Sequence, residues 1–142
     1  MITQLIYTSQ RCDSLSDAGL DALLVQARQN NARRGLTGVL LCTGTQFMQV
    51  IEGPAAEVAR LADTIAEDTR HEDMRIVMSH EVAQPDFGDW HMALSDVRAR
   101  GLLPGCELSR FFEPDFNIGV LPAASVASFL LRAFRDIVIS DR

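Results

Sequence analysis

The stretch TQFMQVIEG, Thr45–Gly53, decides how this chain folds. Its side chains alternate: Phe47, Gln49 and Ile51 take one face, and Met48, Val50 and Glu52 the other. A period of two marks a β-strand. Gln49 interrupts an apolar face, between Phe47 and Ile51. A buried amide left without partners costs about 1–3 kcal/mol. A fold that buries this strand therefore has to supply partners for Gln49.

Working outward, Leu36–Thr43 is apolar on both faces and reads as a second strand, joined to the first through Thr43-Gly44-Thr45. Upstream, Ile2–Ser9 sets Leu5, Tyr7 and Ser9 against Ile6 and Thr8, another strand. Asp13, Ser14 and Ser16 are helix-start residues; Leu20, Leu23, Leu24, Ala27 and Asn31 follow at helical spacing, and Gly35 stops the helix. Downstream, Gly53-Pro54 opens a second helix, whose buried stripe is Val58, Leu61, Ala62 and Ile65 and which closes around Asp68–His71. Met74–Val82 is a further strand. The last, Trp90–Val97, carries Trp90, Met92 and Leu94 on one face. The order is βαββαββ, with two helices on one face of a mixed, mostly antiparallel sheet. The other face of the doubly apolar strands also needs cover. Val126, Phe129, Leu130, Ala133, Phe134 and Ile137, at helical spacing within Ala123–Ile139, suit a C-terminal helix docked there or shared with a neighbouring subunit.

Composition sets limits. A chain of 142 residues with 47% hydrophobic and 23% charged residues is expected to form one soluble domain with its own core. Thirteen basic against nineteen acidic residues, a net charge of −6, argue against a nucleic-acid or anionic-membrane surface. The paired Arg33 and Arg34 read as the basic end of a helix. No apolar run reaches the roughly 18 residues of a spanning helix, and MITQLIYTSQ lacks the form of a secretory signal. Cytoplasmic residence is the expectation. Cys12, Cys42 and Cys106 are odd in number and lack CxxC spacing, so neither a disulfide framework nor a zinc site is indicated.

Four residues place polar or redox-capable groups on faces that packing alone would make apolar: Tyr7, Asn31, Gln49 and Trp90. Singly, each has an ordinary role, as an amphipathic core residue, a helix cap or a partner for a stray backbone group. In the fold above all four point into one cleft between sheet and helices. There is no Ser-His-Asp logic, no Cys with a nearby His, no GxGxxG or GxxxxGK, and no paired arrangement among Glu52, Asp63 and Asp68. What remains is a phenol, two carboxamides and an indole. Carboxamides read the donor–acceptor edge of a flat heterocycle, while a phenol and an indole are one-electron donors. The set suggests a bound redox-active heterocycle.

Ile6-Tyr7-Thr8-Ser9, Asn31-Ala32-Arg33, Leu36-Thr37-Gly38, Phe47-x-Gln49-x-x-Glu52-Gly53, Asp68-x-Arg70-His71 and Asp89-Trp90-x-Met92, in that order, resemble the BLUF domains, blue-light sensors using flavin. The resemblance covers residues 1–97. It implies an α+β, ferredoxin-like βαββαββ fold with flavin between the two helices. It also implies roles: Tyr7 as electron donor to the photoexcited flavin, Gln49 between that tyrosine and the flavin edge, Asn31 on the pyrimidine side, and Trp90 and Met92 as the relay through the last strand. Asp68, Arg70 and His71 match the motif associated with holding the flavin, with helix capping an equal reading of His71; Ser9, Asn30 and Phe47 would join the binding set. Gln10 stands where many members carry Arg. The implied chromophore is FAD, with FMN the alternative.

Residues 1–97 are thus expected to be the photosensor core and 98–142 a C-terminal helical extension for capping, output or oligomerisation. About 45 residues are too few for an effector domain, so the expectation is a stand-alone photoreceptor, not an enzyme, signalling to a protein partner or its own oligomer. Leu102, Leu103, Phe111, Phe112 and Phe116 are candidate interface or core residues. The competing readings are a flavin-free ferredoxin-like interaction module and, more remotely, an acylphosphatase-like hydrolase. The latter needs an Arg–Asn pair at a phosphate loop, whereas Asn30 and Asn31 lie in a helix.

Overall fold

A computed structural model describes residues 1–43, 45–88, 91–96 and 125–140, by backbone alone at 93–96 and 137–140. The elements are β1 (Ile2–Arg11), α1 (Asp17–Arg34), β2 (Thr37–Cys42), β3 (Gln46–Gly53), α2 (Ala55–Glu67), β4 (His71–Val82), β5 (Ala93–Asp96) and α3 (Val126–Ser140). The sheet order is β4-β1-β3-β2-β5. All neighbours are antiparallel except β2 and β5, which run parallel. The expected α+β, ferredoxin-like arrangement is present, and the quoted stretch forms its central strand.

Local chemistry explains the element ends. Ser16 caps α1, its hydroxyl accepting from Gly19 N at 3.0 Å. Gly35 ends that helix in the left-handed region (φ 70°), its N–H returning to Asn31 O. Gly38 is required by close approach, because a Cβ there would lie 2.0 Å from Val50 O on β3.

Both sheet faces are covered. On one, Leu20 and Leu24 of α1 pack on Leu40, Cys42 and Phe47, while Val58 of α2 packs on Leu5, Tyr7, Leu36 and Ile51. On the other, Ala127 and Leu131 of α3 cover Ile6, Val39, Leu41, Met48 and Val50, with Phe87 wedged beside them. Each fully buried aliphatic side chain here contributes about 1.5–3 kcal/mol. The C-terminal helix therefore sits on this sheet's own outer face, as the doubly apolar strands require, but not on the whole expected stripe. Ala127 and Leu131 are buried, Leu130 and Phe134 pack at the edge, and Val126 and Phe129 are exposed, because the helix is rotated toward its small residue Ala127.

Several bounds depart from the sequence reading. β1 runs on to Arg11, and β4 begins at His71 instead of Met74. Its pairing with β1 is irregular between Ile6/Tyr7 and between Thr8/Gln10, and Asp73 takes a positive φ of 54°. Such bulges break the period-two pattern that identifies a strand. β5 begins at Ala93, so Met92 precedes the strand, and α3 begins at Val126. Gly44, Asp89, Trp90 and residues 97–124, with Leu102, Leu103, Cys106, Phe111, Phe112 and Phe116, lie outside the described residues. Among those described, no helix is long and apolar enough to cross a membrane, and no His, Cys, Asp and Glu cluster could hold a metal.

Candidate functional site

A cavity of about 310 Å³ opens between the two helices and the sheet. Tyr7, Leu40, Phe47 and Gln49 form its floor. Leu23, Leu24, Ala27, Asn30 and Asn31 of α1 make one wall, and Leu61, Thr64 and Ile65 of α2 the other. Asp68, Arg70 and His71 close one end, and Met92 lines it too. Nine of the candidate residues thus meet at one cavity: Tyr7, Asn30, Asn31, Phe47, Gln49, Asp68, Arg70, His71 and Met92. Ser9 does not line it. It shares a sheet face with Tyr7 two residues away, but its Oγ is buried without a partner outside the cavity lining. Trp90 lies outside the described residues.

The floor supplies the partners Gln49 needs. β1 and β3 pair so that Tyr7 stands directly opposite Gln49, where side chains meet. The Tyr7 hydroxyl donates a hydrogen bond to Gln49 Oε1, and Gln49 Nε2 donates to Met92 Sδ at 3.4 Å. All three side chains are buried. Burial first, and the Asp68 carboxylate second, raise the Tyr7 phenol well above its ordinary range, so it stays protonated.

Met92 is held by its backbone. The His91 carbonyl accepts from Asn31 Nδ2 at 2.7 Å, the Met92 carbonyl accepts from Arg28 Nε at 2.8 Å, and His91 Nδ1 donates to Leu36 O at 3.0 Å. Asn31, expected to face a ring, gives one amide N–H to this segment. Arg28 escaped the sequence reading. Its trace was its place three residues before Asn31, which puts both on one helical face.

At the cavity's end, Arg70 donates to both Asp68 carboxylate oxygens, at 2.5 to 3.1 Å. Those hydrogen bonds hold the Asp68 carboxyl below its usual value. His71 Nε2 donates to Ile65 O at 2.6 Å and so caps α2, the structural role weighed for it, while its Nδ1 is buried with no partner. The His71 ring lies 6.2 Å from that of Tyr7, tilted by 49°.

These residues fit a flavin. The cavity is of ligand size and its walls are mainly apolar. Carboxamides converge on it from α1 and β3, and the unpartnered His71 Nδ1 is a buried polar atom at its end. Together, fold and site define a ferredoxin-like domain with a cavity suited to a flat heterocycle between its helices.

Residues 2–93 match the BLUF family, sensors of blue light using FAD. The chain belongs to this family and senses blue light with a bound flavin. It is 31% identical over 98 residues to the blue light- and temperature-regulated antirepressor BluF of Escherichia coli K12, covering 69% of this chain and 24% of that one. It is 37% identical over 76 residues to photoactivated adenylate cyclase subunit beta of Euglena gracilis, covering 54% and 9%. The chain thus spans a quarter or less of these curated relatives. Among solved structures, Klebsiella pneumoniae BlrP1 with FMN and cyclic diGMP superimposes with a TM-score of 0.79 at 32% identity, over 96% of this chain and 35% of that one. The dark-state structure of BlrB, a BLUF protein, superimposes with a TM-score of 0.67 at 28% identity, over 95% and 96%.

Proposed function

We propose that this chain is a non-enzymatic photoreceptor whose photochemical unit is Tyr7, Gln49 and Met92. The observation that carries this reading is the Gln49 amide, hydrogen-bonded to Tyr7 on one side and Met92 on the other in the floor of the cavity. Bound flavin supplies a ring that absorbs blue light and becomes a strong one-electron oxidant.

The chain's residues do the rest. Phe47, Asn30 and Asn31 hold the ring, with Asp68, Arg70 and His71 at the cavity's end. Tyr7 is protonated and buried, so it gives up an electron only together with its proton. Oxidation turns a phenol into a strong acid, and the group already bonded to that proton is Gln49 Oε1. When electron and proton return, the amide settles rotated or tautomerised. A rotated amide sets Oε1 against Met92 Sδ, acceptor against acceptor, so rotation breaks the Met92 contact. Exchanging one or two such bonds is worth about 1–3 kcal/mol, enough to bias a two-state element without unfolding the domain.

FAD is the flavin proposed, since the family description names it. The segment after β5, with α3, is the proposed output, acting in the cytoplasm on a protein partner or a second copy of the chain. The test is to load the purified protein with FAD and illuminate it with blue light. A reversible red shift of the flavin band is expected, and Tyr7→Phe should keep the flavin and lose the shift. Protein that takes up no flavin, or whose Tyr7→Phe variant shifts normally, overturns the reading.

A further inference from the structure

Three residues after Gln49, on the opposite sheet face, lies Glu52, a fully buried carboxylate. A buried carboxylate is tolerated only where hydrogen bonds replace its water. Glu52 has four: Gln4 Nε2 at 2.9 Å and Asp86 N at 2.6 Å on Oε2, Phe87 N at 2.9 Å and Thr37 Oγ1 at 3.1 Å on Oε1. Two of these donors are successive backbone N–H groups of the turn that follows β4. One side chain of β3 therefore pins that turn to the sheet.

The turn leads in two directions. Five residues beyond Phe87 is Met92, the thioether on Gln49. Asp86 Oδ2 accepts from Ser125 Oγ at 2.6 Å and from Gln4 Nε2 at 2.9 Å. Ser125 Oγ in turn accepts from Ser128 N at 3.1 Å, so it caps α3. Phe87 itself packs with Ala127 and Leu131 of that helix. A continuous chain of hydrogen bonds thus joins Glu52 to the turn, and the turn to the first turn of α3.

We propose that Glu52 is a positioning residue of the photocycle: by fixing the turn at Asp86–Phe87 it couples Met92 on the cavity face to the docking of α3 on the other face. This deepens the reading that Tyr7, Gln49 and Met92 form the photochemical unit, and rests on it. Glu52→Gln replaces one acceptor oxygen by an NH₂ group that faces donors, so the turn loses part of its anchor and Met92 moves more freely.

The experiment compares FAD-loaded wild type, Glu52→Gln and Ser125→Ala, full-length, reading the red shift, the dark-recovery half-life and hydrogen exchange of α3 amides in light and dark. Wild type should show a light-dependent change in α3 exchange. Glu52→Gln should keep the red shift but recover about fivefold faster, equivalent to about 1 kcal/mol, and lose the α3 response. Ser125→Ala should keep the shift and lose only the α3 response, and it stands as the test should Glu52→Gln not fold. The proposal is overturned by recovery of Glu52→Gln within about twofold of wild type, by α3 exchange that ignores light in a wild type that shifts, or by an unchanged α3 response in Ser125→Ala. A wild type with no shift at all would instead overturn the parent reading.

Discussion

Gln49 and Glu52 stand three residues apart on β3, both buried, both polar, one on each face of the sheet. They are bonded in opposite styles. Glu52 is saturated by four donors, two of them backbone groups of another segment. Gln49 has a phenol on one side and a thioether, a weak acceptor, on the other, and it borders a cavity. A saturated carboxylate resists rearrangement, because any movement strands several donors. An amide with one weak partner can exchange its bonds at low cost. The same strand thus carries a part suited to move and a part suited to hold.

Substitution can break that contrast. The largest effect is expected for Glu52→Leu, which leaves the Asp86 and Phe87 N–H groups buried without acceptors and should lower unfolding free energy by about 3 kcal/mol in urea. Gln49→Leu strands a single donor, the Tyr7 hydroxyl, beside a cavity that can admit water, and places an apolar side chain on the Phe47–Ile51 face, so it should cost about 1 kcal/mol. Comparable losses in the two variants would erase the distinction.

The next effect is a titration. Tyr7 is the chain's single tyrosine, so phenolate absorbance reports it alone. Burial, then Asp68, raise its phenol above the ordinary 10.0. The folded protein keeps a proton that the unfolded chain releases, so this contribution to stability is complete below pH 10.0 and is lost as pH rises past it. Phenolate should form only as the protein unfolds; a folded-state titration near the ordinary value would show that the Tyr7–Gln49 floor is open to water.

The smallest effect is expected at the cavity's end. Arg70→Gln removes the partner of Asp68, but the pair is reached by solvent, with side chains 44% and 23% exposed, and such surface pairs contribute about 0–1 kcal/mol. Thermal unfolding should shift by no more than about 2–4 °C. A larger shift would make this end a structural clamp comparable to Glu52.

How much of this could be read beforehand follows from where each signal resides. Alternation along Thr45–Gly53 exposed Gln49 as the odd residue, and helical spacing placed Asn31 on the same side, because both patterns are local. The double apolarity of Leu36–Thr43 called for a helix on the far face, and α3 is there. The first residues of β4 were missed because bulges and Asp73 remove the alternation. Glu52 shows in the sequence as a strand residue, an unpaired carboxylate and one letter of a motif, none of which reveals what binds it. Its donors come from Gln4, from Thr37 and from backbone groups of a turn 34 and 35 residues away, and no one-dimensional pattern encodes backbone donors. Arg28 was hidden for the same reason, since it holds a carbonyl. Ser9 shows the converse: its motif neighbourhood suggested a ligand contact, and its side chain lies outside the cavity lining.

Gln49 is the proposed moving part. The most direct measurement is the light-minus-dark absorption spectrum of FAD-loaded Gln49→Leu beside wild type under the same illumination. Equal flavin content is expected, with a reversible red shift in wild type and none in the variant. A variant that binds flavin and shifts as wild type does would contradict this role for Gln49.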